Sequence, residues 1–191
     1  MKKYELTTDS VMACTTRLFR IKALISFGDV KAGELGGYVE KEENLSQDGN
    51  AWVCGNARVY GNAQVCGNAR VCGDAQVCGD AQVYGDAQVC GNAQVCGDAR
   101  VCGNAWVYGD AQVYGDADYT TVKGFGSKYR NTTFFRQSDD SVGVVCGCFS
   151  GTLEEFRDKV IETHKESKFA KEYLMIADLM ELHFGQEGDG C

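Results

Sequence analysis

A six-residue unit is repeated eleven times in succession between Ala51 and Asp116, without an insertion. Each unit reads Ala-x-Val-(Cys or Tyr)-Gly-(Asn or Asp), where x is Gln, Arg or Trp. The alternation in Ala-x-Val predicts a short strand with one buried face. The Gly-Asn or Gly-Asp pair predicts a bend, because these residues tolerate a positive φ. A single unit cannot bury its own alanine and valine, so successive units must stack into a solenoid.

The spacing within the repeat indicates how the units stack. Val77 precedes Ala81 by four residues, and Val83 precedes Ala87 in the same way. An aliphatic residue followed four positions later by a small one resembles the hexapeptide repeat of left-handed parallel β-helices. The resemblance implies three units per triangular coil and a left-handed solenoid of about 4 coils. The predicted fold class is therefore mainly β.

A turn of three units predicts columns of equivalent side chains along the three edges of the solenoid. The columns are Cys54, Cys72, Cys90 and Tyr108; Tyr60, Cys78, Cys96 and Tyr114; and Cys66, Tyr84 and Cys102. Tyrosine replaces cysteine freely in these columns, which favours packing by reduced thiols over a disulfide framework. Stacked α-carbons would lie within disulfide range, but we expect parallel side chains not to point at one another.

The corners of the coils carry the polar residue that ends each unit. At one corner Asn56, Asp74, Asn92 and Asp110 follow one another at the period of a full turn. A neutral amide between two carboxylates separates charges that would otherwise lie about 5 Å apart. The order therefore predicts a ladder of hydrogen bonds along the corner.

Composition limits the classes of partner and the compartment. The chain of 191 residues has a net charge of −8 and contains 11 cysteines. An acidic chain is a poor nucleic-acid binder, because that binding depends on neutralising phosphates. The first residues, MKKYELTTDS, lack the apolar segment of a signal peptide. No run approaches the ~20 apolar residues of a membrane span. We therefore expect a cytoplasmic protein without membrane contact.

The segments on either side of the repeat divide the chain into three predicted parts. Residues 1–44 are the predicted N-terminal cap, which covers strand edges that the open end of a solenoid would expose. Residues 45–122 are the predicted β-helix, with residues 118–122 as its last strand. Residues 123–191 are the predicted C-terminal α+β module.

The C-terminal module is predicted to contain a hairpin followed by two helices. The β-prone runs 132–137 and 141–149 flank the turn of the hairpin. Thr152 and Glu155 have the spacing of a capping box at the start of the first helix. Apolar residues at helical spacing predict a second helix at residues 168–184, followed by a frayed tail.

Two further segments resemble proteins of phages and prophages. They are GDVKAGELGGYVEKEENLSQDGNAWV before the repeat and CGCFSGTLEEF after it. Similar segments occur in proteins described as hexapeptide-repeat, polymer-forming or acyltransferase-like, and the resemblance extends over residues 17–184. It implies a β-helix and a phage or mobile-element origin. It implies no established activity, because that family is largely uncharacterised.

Few residues outside the repeat suggest catalysis. Hexapeptide acyltransferases use a histidine in a cleft between coils as a base, but His164 and His183 lie on the predicted C-terminal helices. The sequence therefore assigns no catalytic residue and argues against an enzyme. Cys146 and Cys148 are either a redox-active pair or two small core residues on one strand face. With no CxxC motif and no histidine in the repeat, we expect neither a metal nor another cofactor.

Basic residues outside the repeat are the predicted ligand-binding residues. They are Arg17, Arg20, Lys22, Lys128, Arg130 and Arg136. Where terminal segments of different subunits meet, such residues would form a pocket for a small, nucleotide-like anion.

The leading hypothesis for function is a non-enzymatic interaction protein encoded by a phage or prophage. The resemblance to hexapeptide-repeat proteins implies a homo-trimer, and the terminal modules would contact a host protein and interfere with a host process such as defence. The first alternative is a protein that binds or sequesters a small anion between subunits. The second alternative is an acyltransferase-like enzyme.

Overall fold

The computed structural model describes residues 2–185, which form two compact units. The first unit ends at Asp116 and the second begins at Ala117. The tail predicted after Gly185 lies outside the described residues. Among the described residues, no helix is long and apolar enough to cross a membrane.

One two-residue strand from each repeat unit builds the solenoid. The strands are β4 (Trp52–Val53), β5 (Arg58–Val59), β6 (Gln64–Val65), β7 (Arg70–Val71), β8 (Gln76–Val77), β9 (Gln82–Val83), β10 (Gln88–Val89), β11 (Gln94–Val95), β12 (Arg100–Val101), β13 (Trp106–Val107) and β14 (Gln112–Val113). They pair in parallel as β4-β7-β10-β13, β5-β8-β11-β14 and β6-β9-β12. Every third strand therefore stacks, which confirms the predicted β-solenoid of three faces and about four turns.

The interior of the solenoid is a column of alanine and valine side chains. Every repeat alanine and valine from Ala51 to Val113 is at most 1% exposed. The main chain bonds to the next coil, as when Cys72 N donates to Val89 O over 2.9 Å. At the corners the coils approach so closely that a Cβ at Gly79, where φ is +69°, would lie 2.9 Å from Gly97 N. Gly79 is therefore required both by its φ and by the adjacent coil.

The corner amides form the predicted ladder. Asn56 Nδ2 donates to Asp74 Oδ1 over 3.1 Å, and Asn92 Nδ2 donates to Asp110 Oδ1 over 3.0 Å. Asn62 reaches Asp80 in the same way, over 2.9 Å. Each of these three asparagines thus donates to a carboxylate on the next coil, as predicted for the corner where Asn and Asp alternate.

Two pairs of stacked cysteines correct the expectation that the columns hold only reduced thiols. Disulfides join Cys54 to Cys72 and Cys78 to Cys96, with Cα–Cα distances of 4.7 and 4.6 Å. In-register parallel coils place these α-carbons within disulfide range, and both side chains leave the coil at the same edge. The thiols can therefore meet, contrary to the sequence-based expectation for parallel side chains.

Three longer strands precede the solenoid in the first unit. They are β1 (Tyr4–Ala13), β2 (Thr16–Ala23) and β3 (Leu35–Val39), and the short 3₁₀ helix Glu42–Asn44 follows them. The strands β1, β2 and β3 are antiparallel, and β3 pairs in parallel with β5, so they extend one face of the solenoid. Trp52 of the first coil is fully buried, with its ring against the rings of Tyr4 and Phe27.

The second unit is a four-stranded antiparallel sheet with two helices. After the 3₁₀ helix Asp116–Asp118, its elements are β15 (Tyr119–Phe125), β16 (Arg130–Arg136), β17 (Val142–Cys146), β18 (Phe149–Thr152), α1 (Leu153–His164) and α2 (Lys168–Phe184). The predicted helices are confirmed, and Thr152 caps α1 by accepting from Glu155 N over 3.2 Å. The stretch predicted to be the last solenoid strand lies mostly in β15, which pairs with β16. The core between sheet and helices includes Phe134, Val144 and Phe156.

Candidate functional site

A cavity of about 230 Å³ opens in the second unit, between two turns of the sheet and the two helices. The turn after β15 contributes Ser127 and Lys128, and Arg130 follows at the start of β16. The turn between β17 and β18 contributes Cys146, Cys148 and Phe149. The helix side is formed by Phe156, Lys159, Val160, Thr163 and His164 of α1 and Tyr173 of α2. Residues from two turns, three strands and two helices thus meet at one site, called the C-terminal pocket below.

The Cys-Gly-Cys motif lies at the turn between β17 and β18. Cys146 is the last residue of β17 and half-buried, Gly147 has a φ of +64°, and Cys148 is exposed. Because the chain reverses at Gly147, the two thiols do not share one strand face, and the alternative of two small core residues on a strand is wrong. Both cysteines line the C-terminal pocket instead.

Two hydroxyl groups accompany the Cys146 thiol. Thr132 Oγ1 donates to Cys146 Sγ over 3.1 Å, and the Tyr173 hydroxyl lies 3.9 Å from the same sulfur. Burial raises the pKa of Tyr173 to about 12, and the neighbouring Cys146 thiol acts in the same direction. Tyr173 is therefore a neutral hydroxyl at physiological pH, and it offers a hydrogen bond rather than a base.

The mouth of the pocket is basic. Lys128 and Arg130 are exposed there, and within residues 2–185 neither forms an ion pair with a carboxylate. Lys159 on α1 is also basic, but its Nζ lies 2.7 Å from Glu162. The guanidinium of Arg130 lies against Gly147, where a Cβ would collide with it. Two cations thus face the solvent at the pocket, and no carboxylate of residues 2–185 forms an ion pair with either.

The wall of the pocket is aromatic. Ring centroids are 5.6 Å apart for Phe149 and Phe156, 5.6 Å for Phe156 and Tyr173, and 5.7 Å for His164 and Tyr173. Such edge and tilted arrangements are the preferred geometries of packed rings. A flat apolar group can therefore be held beside the basic mouth.

The structure brings together only part of the predicted ligand-binding set. Lys128 and Arg130 line the pocket, but Arg136 at the far end of β16 pairs with Asp118 over 3.4 Å. Arg136 also donates to Phe184 O over 3.2 Å. Its role in the second unit is therefore to hold neighbouring segments together.

The other three predicted residues belong to the first unit. Arg17, Arg20 and Lys22 all lie on β2. Arg20 donates to Gly36 O and to the Tyr38 hydroxyl, both over 3.1 Å, so it is engaged within its own sheet. Arg17 is exposed and Lys22 is half-buried.

Sequence reasoning did not single out Lys159, Thr163 and Tyr173 as site residues. Phe156, Lys159, Val160, Thr163 and His164 follow one another at helical spacing, and this spacing was the signal that one face of α1 carries both apolar and basic residues. His183, the second histidine, lies next to Phe184 and does not line the pocket.

The solenoid and its cysteine-rich repeat define a β-solenoid repeat protein with a C-terminal sheet-and-helix unit. The family model described as YdcK beta solenoid repeat matches residues 51–64, 63–79, 75–91 and 93–109 of this chain. The similarity covers the repeats and not the C-terminal unit that holds the pocket. No curated protein matches the chain.

Proposed function

We propose that this protein is a non-enzymatic binding protein, in which the C-terminal pocket takes a small anion that carries a flat apolar group, such as a nucleotide. The observation that carries the proposal is the pair of exposed cations, Lys128 and Arg130, at the mouth of an aromatic-walled cavity. The solenoid is the rigid scaffold to which this binding unit is attached.

The electrostatics of the chain support an anionic ligand. The whole chain has a net charge of −8, yet Lys128 and Arg130 place two positive charges at the mouth of the pocket. A guanidinium matches the geometry of phosphate and carboxylate oxygens, and a lysine adds a second positive charge. Phosphate or carboxylate is therefore the charged group that the mouth of the pocket suits.

The volume and wall of the pocket limit the rest of the ligand. A cavity of about 230 Å³ is smaller than the roughly 300–1,000 Å³ of sites that enclose drug-sized molecules. It holds one planar group against Phe149, Phe156 and Tyr173 while the anion stays at the rim. The neutral hydroxyl of Tyr173 and the Cys146 thiol, to which Thr132 donates a hydrogen bond, add polar groups to the cavity wall.

Isothermal titration of the full chain with adenosine monophosphate, adenosine and inorganic phosphate tests this proposal. The monophosphate should bind more tightly than either part alone. Arg130→Ala should weaken its binding about 10- to 100-fold, which corresponds to the ~1.5–3 kcal/mol of a hydrogen bond to a charged group. Arg17→Ala is the matched control, because it removes an exposed arginine from the first unit. Equal binding by Arg130→Ala and wild type, or no binding of any of the three probes, would contradict the proposal.

A second role, contact with other proteins, is supported by the surface of the solenoid. Trp106, Tyr108 and Tyr114, in its last coils, are exposed aromatic side chains. Aromatic residues are enriched in protein interfaces, so this surface suits a homo-trimer of solenoids or a host protein. The resemblance of the flanking segments to phage and prophage proteins supports an origin in a mobile element, a cytoplasmic location in the host, and interference with a host process such as defence.

The acyltransferase-like alternative is not favoured by any contact described above. His183 lies outside the pocket, and His164 packs its ring against Tyr173 at the end of α1. Neither histidine lies between solenoid coils, where enzymes with this repeat hold their base.

A further inference from the structure

The outward face of α2 is apolar, although its inward face already packs on the core. Met175, Leu179 and Leu182 are 72%, 56% and 78% exposed. Steps of four and three residues place them side by side on one face of the helix. The inward face is formed by a different set, which is Ala170, Tyr173, Ala177, Met180 and Phe184.

A helix with apolar residues on two faces is expected to be covered on both. Single exposed leucines are ordinary, but three large apolar side chains in one stripe are typical of an interaction surface. A surface helix that faced only solvent would carry polar residues at these positions. We therefore expect a partner to cover the outer stripe of α2, which consists of Met175, Leu179 and Leu182.

The distribution of charge along α2 favours a second copy of the same helix, in antiparallel orientation. The N-terminal half of α2 carries two lysines, Lys168 and Lys171, and one acidic residue, Glu172, so its net charge is +1. The C-terminal half carries two acidic residues, Asp178 and Glu181. Arg157 of α1 pairs with both, so the net charge of this end, with Arg157 included, is −1. Antiparallel packing sets each basic half beside the partner's acidic half and opposes the two helix dipoles. Parallel packing would set like charges together.

The position of the stripe also suits a two-fold symmetric contact. Met175 and Leu179 lie on either side of the middle of α2, which spans Lys168–Phe184. In a self-complementary interface each contact occurs twice, so Met175 of one copy meets Leu179 of the other and the reverse.

We propose that α2 is an interface between two copies of this chain, packed antiparallel through Met175, Leu179 and Leu182. The proposal is independent of the ligand in the C-terminal pocket, because it uses the opposite face of α2 from Tyr173.

Native mass and sedimentation of the full chain across a dilution series test the interface. The wild type should form a dimer, or a hexamer if the solenoids also form trimers. Met175→Glu should halve that mass or raise the dissociation constant at least about 100-fold, because it buries a charge at the centre of the contact. Met12→Glu is the matched control, since Met12 is a 55% exposed methionine of the first unit and should leave the mass unchanged.

The orientation is tested by Lys171→Glu. Antiparallel packing predicts weaker association, since this change sets a carboxylate beside the partner's acidic half. Parallel packing predicts no loss, because two facing lysines become two facing glutamates. An odd-numbered or monomeric wild type, including a monomer that captures a different protein, would overturn the proposal. Equal masses for Met175→Glu, Met12→Glu and wild type would overturn it as well.

Discussion

The buried ammonium of Lys3 should make the stability of the first unit depend on pH. Lys3 is only 2% exposed, and its Nζ donates to Ala51 O over 3.0 Å and to the carbonyls of Asp48 and Gly49 over 3.4 Å. Burial lowers its pKa to about 8, although the nearby Asp48 carboxylate opposes the change. The folded protein therefore releases this proton at a lower pH than the unfolded chain does.

The size and direction of the effect follow from that difference in pKa. An unfolded lysine titrates near 10.4, so between pH 8 and 10.4 the unfolded chain binds a proton that the folded chain has lost. The free energy of unfolding therefore rises with pH in this range. Between pH 7.5 and 9.5 the Lys3 contribution to this rise is about 2 kcal/mol. Above about pH 10 Tyr4 acts in the opposite direction, because burial raises the pKa of its phenol.

Urea unfolding at pH 7.5 and 9.5, followed by tryptophan fluorescence, measures this dependence. Trp52 and Trp106 are the two tryptophans of the chain, and both belong to the first unit. Lys3→Met should remove the Lys3 contribution. The free energy of unfolding should therefore rise by about 2 kcal/mol more in wild type than in the variant between pH 7.5 and pH 9.5. Lys2→Met is the matched control, because Lys2 is exposed and should keep the wild-type response. The same pH response in Lys3→Met and wild type would refute the reasoning.

Two further changes test the local geometry. Gly109→Ala should cost about 1–2 kcal/mol through its φ of +71° alone, since no atom of the described residues lies within 4 Å of the added Cβ. Gly79→Ala should cost more in the same unfolding assay, because its Cβ also meets the adjacent coil; equal costs would show that the close approach does not matter. Thr152→Ala should lose about 1 kcal/mol of helix-capping energy, measured as faster hydrogen exchange in the first turn of α1, and unchanged exchange would argue against the capping box.

The sequence by itself determined the solenoid, its corner ladder and the start of α1. Repeated units with a period-2 core and a glycine bend leave few alternatives, because each unit must bury the same two side chains against its neighbours. The Thr152 and Glu155 pair is a local signal, since both ends of the capping box lie within one turn. Such features depend on residues close in the chain or on exact repetition.

Only the tertiary structure decided which side chains meet across the chain. Cys54 and Cys72 point at each other because in-register coils set their separation and direction, which spacing alone does not specify. Cys146 lies in the pocket because the chain turns at Gly147, whereas Arg136 lies at the opposite end of β16 from the pocket and pairs with Asp118. The pocket joins residues from turns and helices that are distant in sequence, and their positions depend on how the sheet of the second unit pairs and how α1 and α2 pack on it.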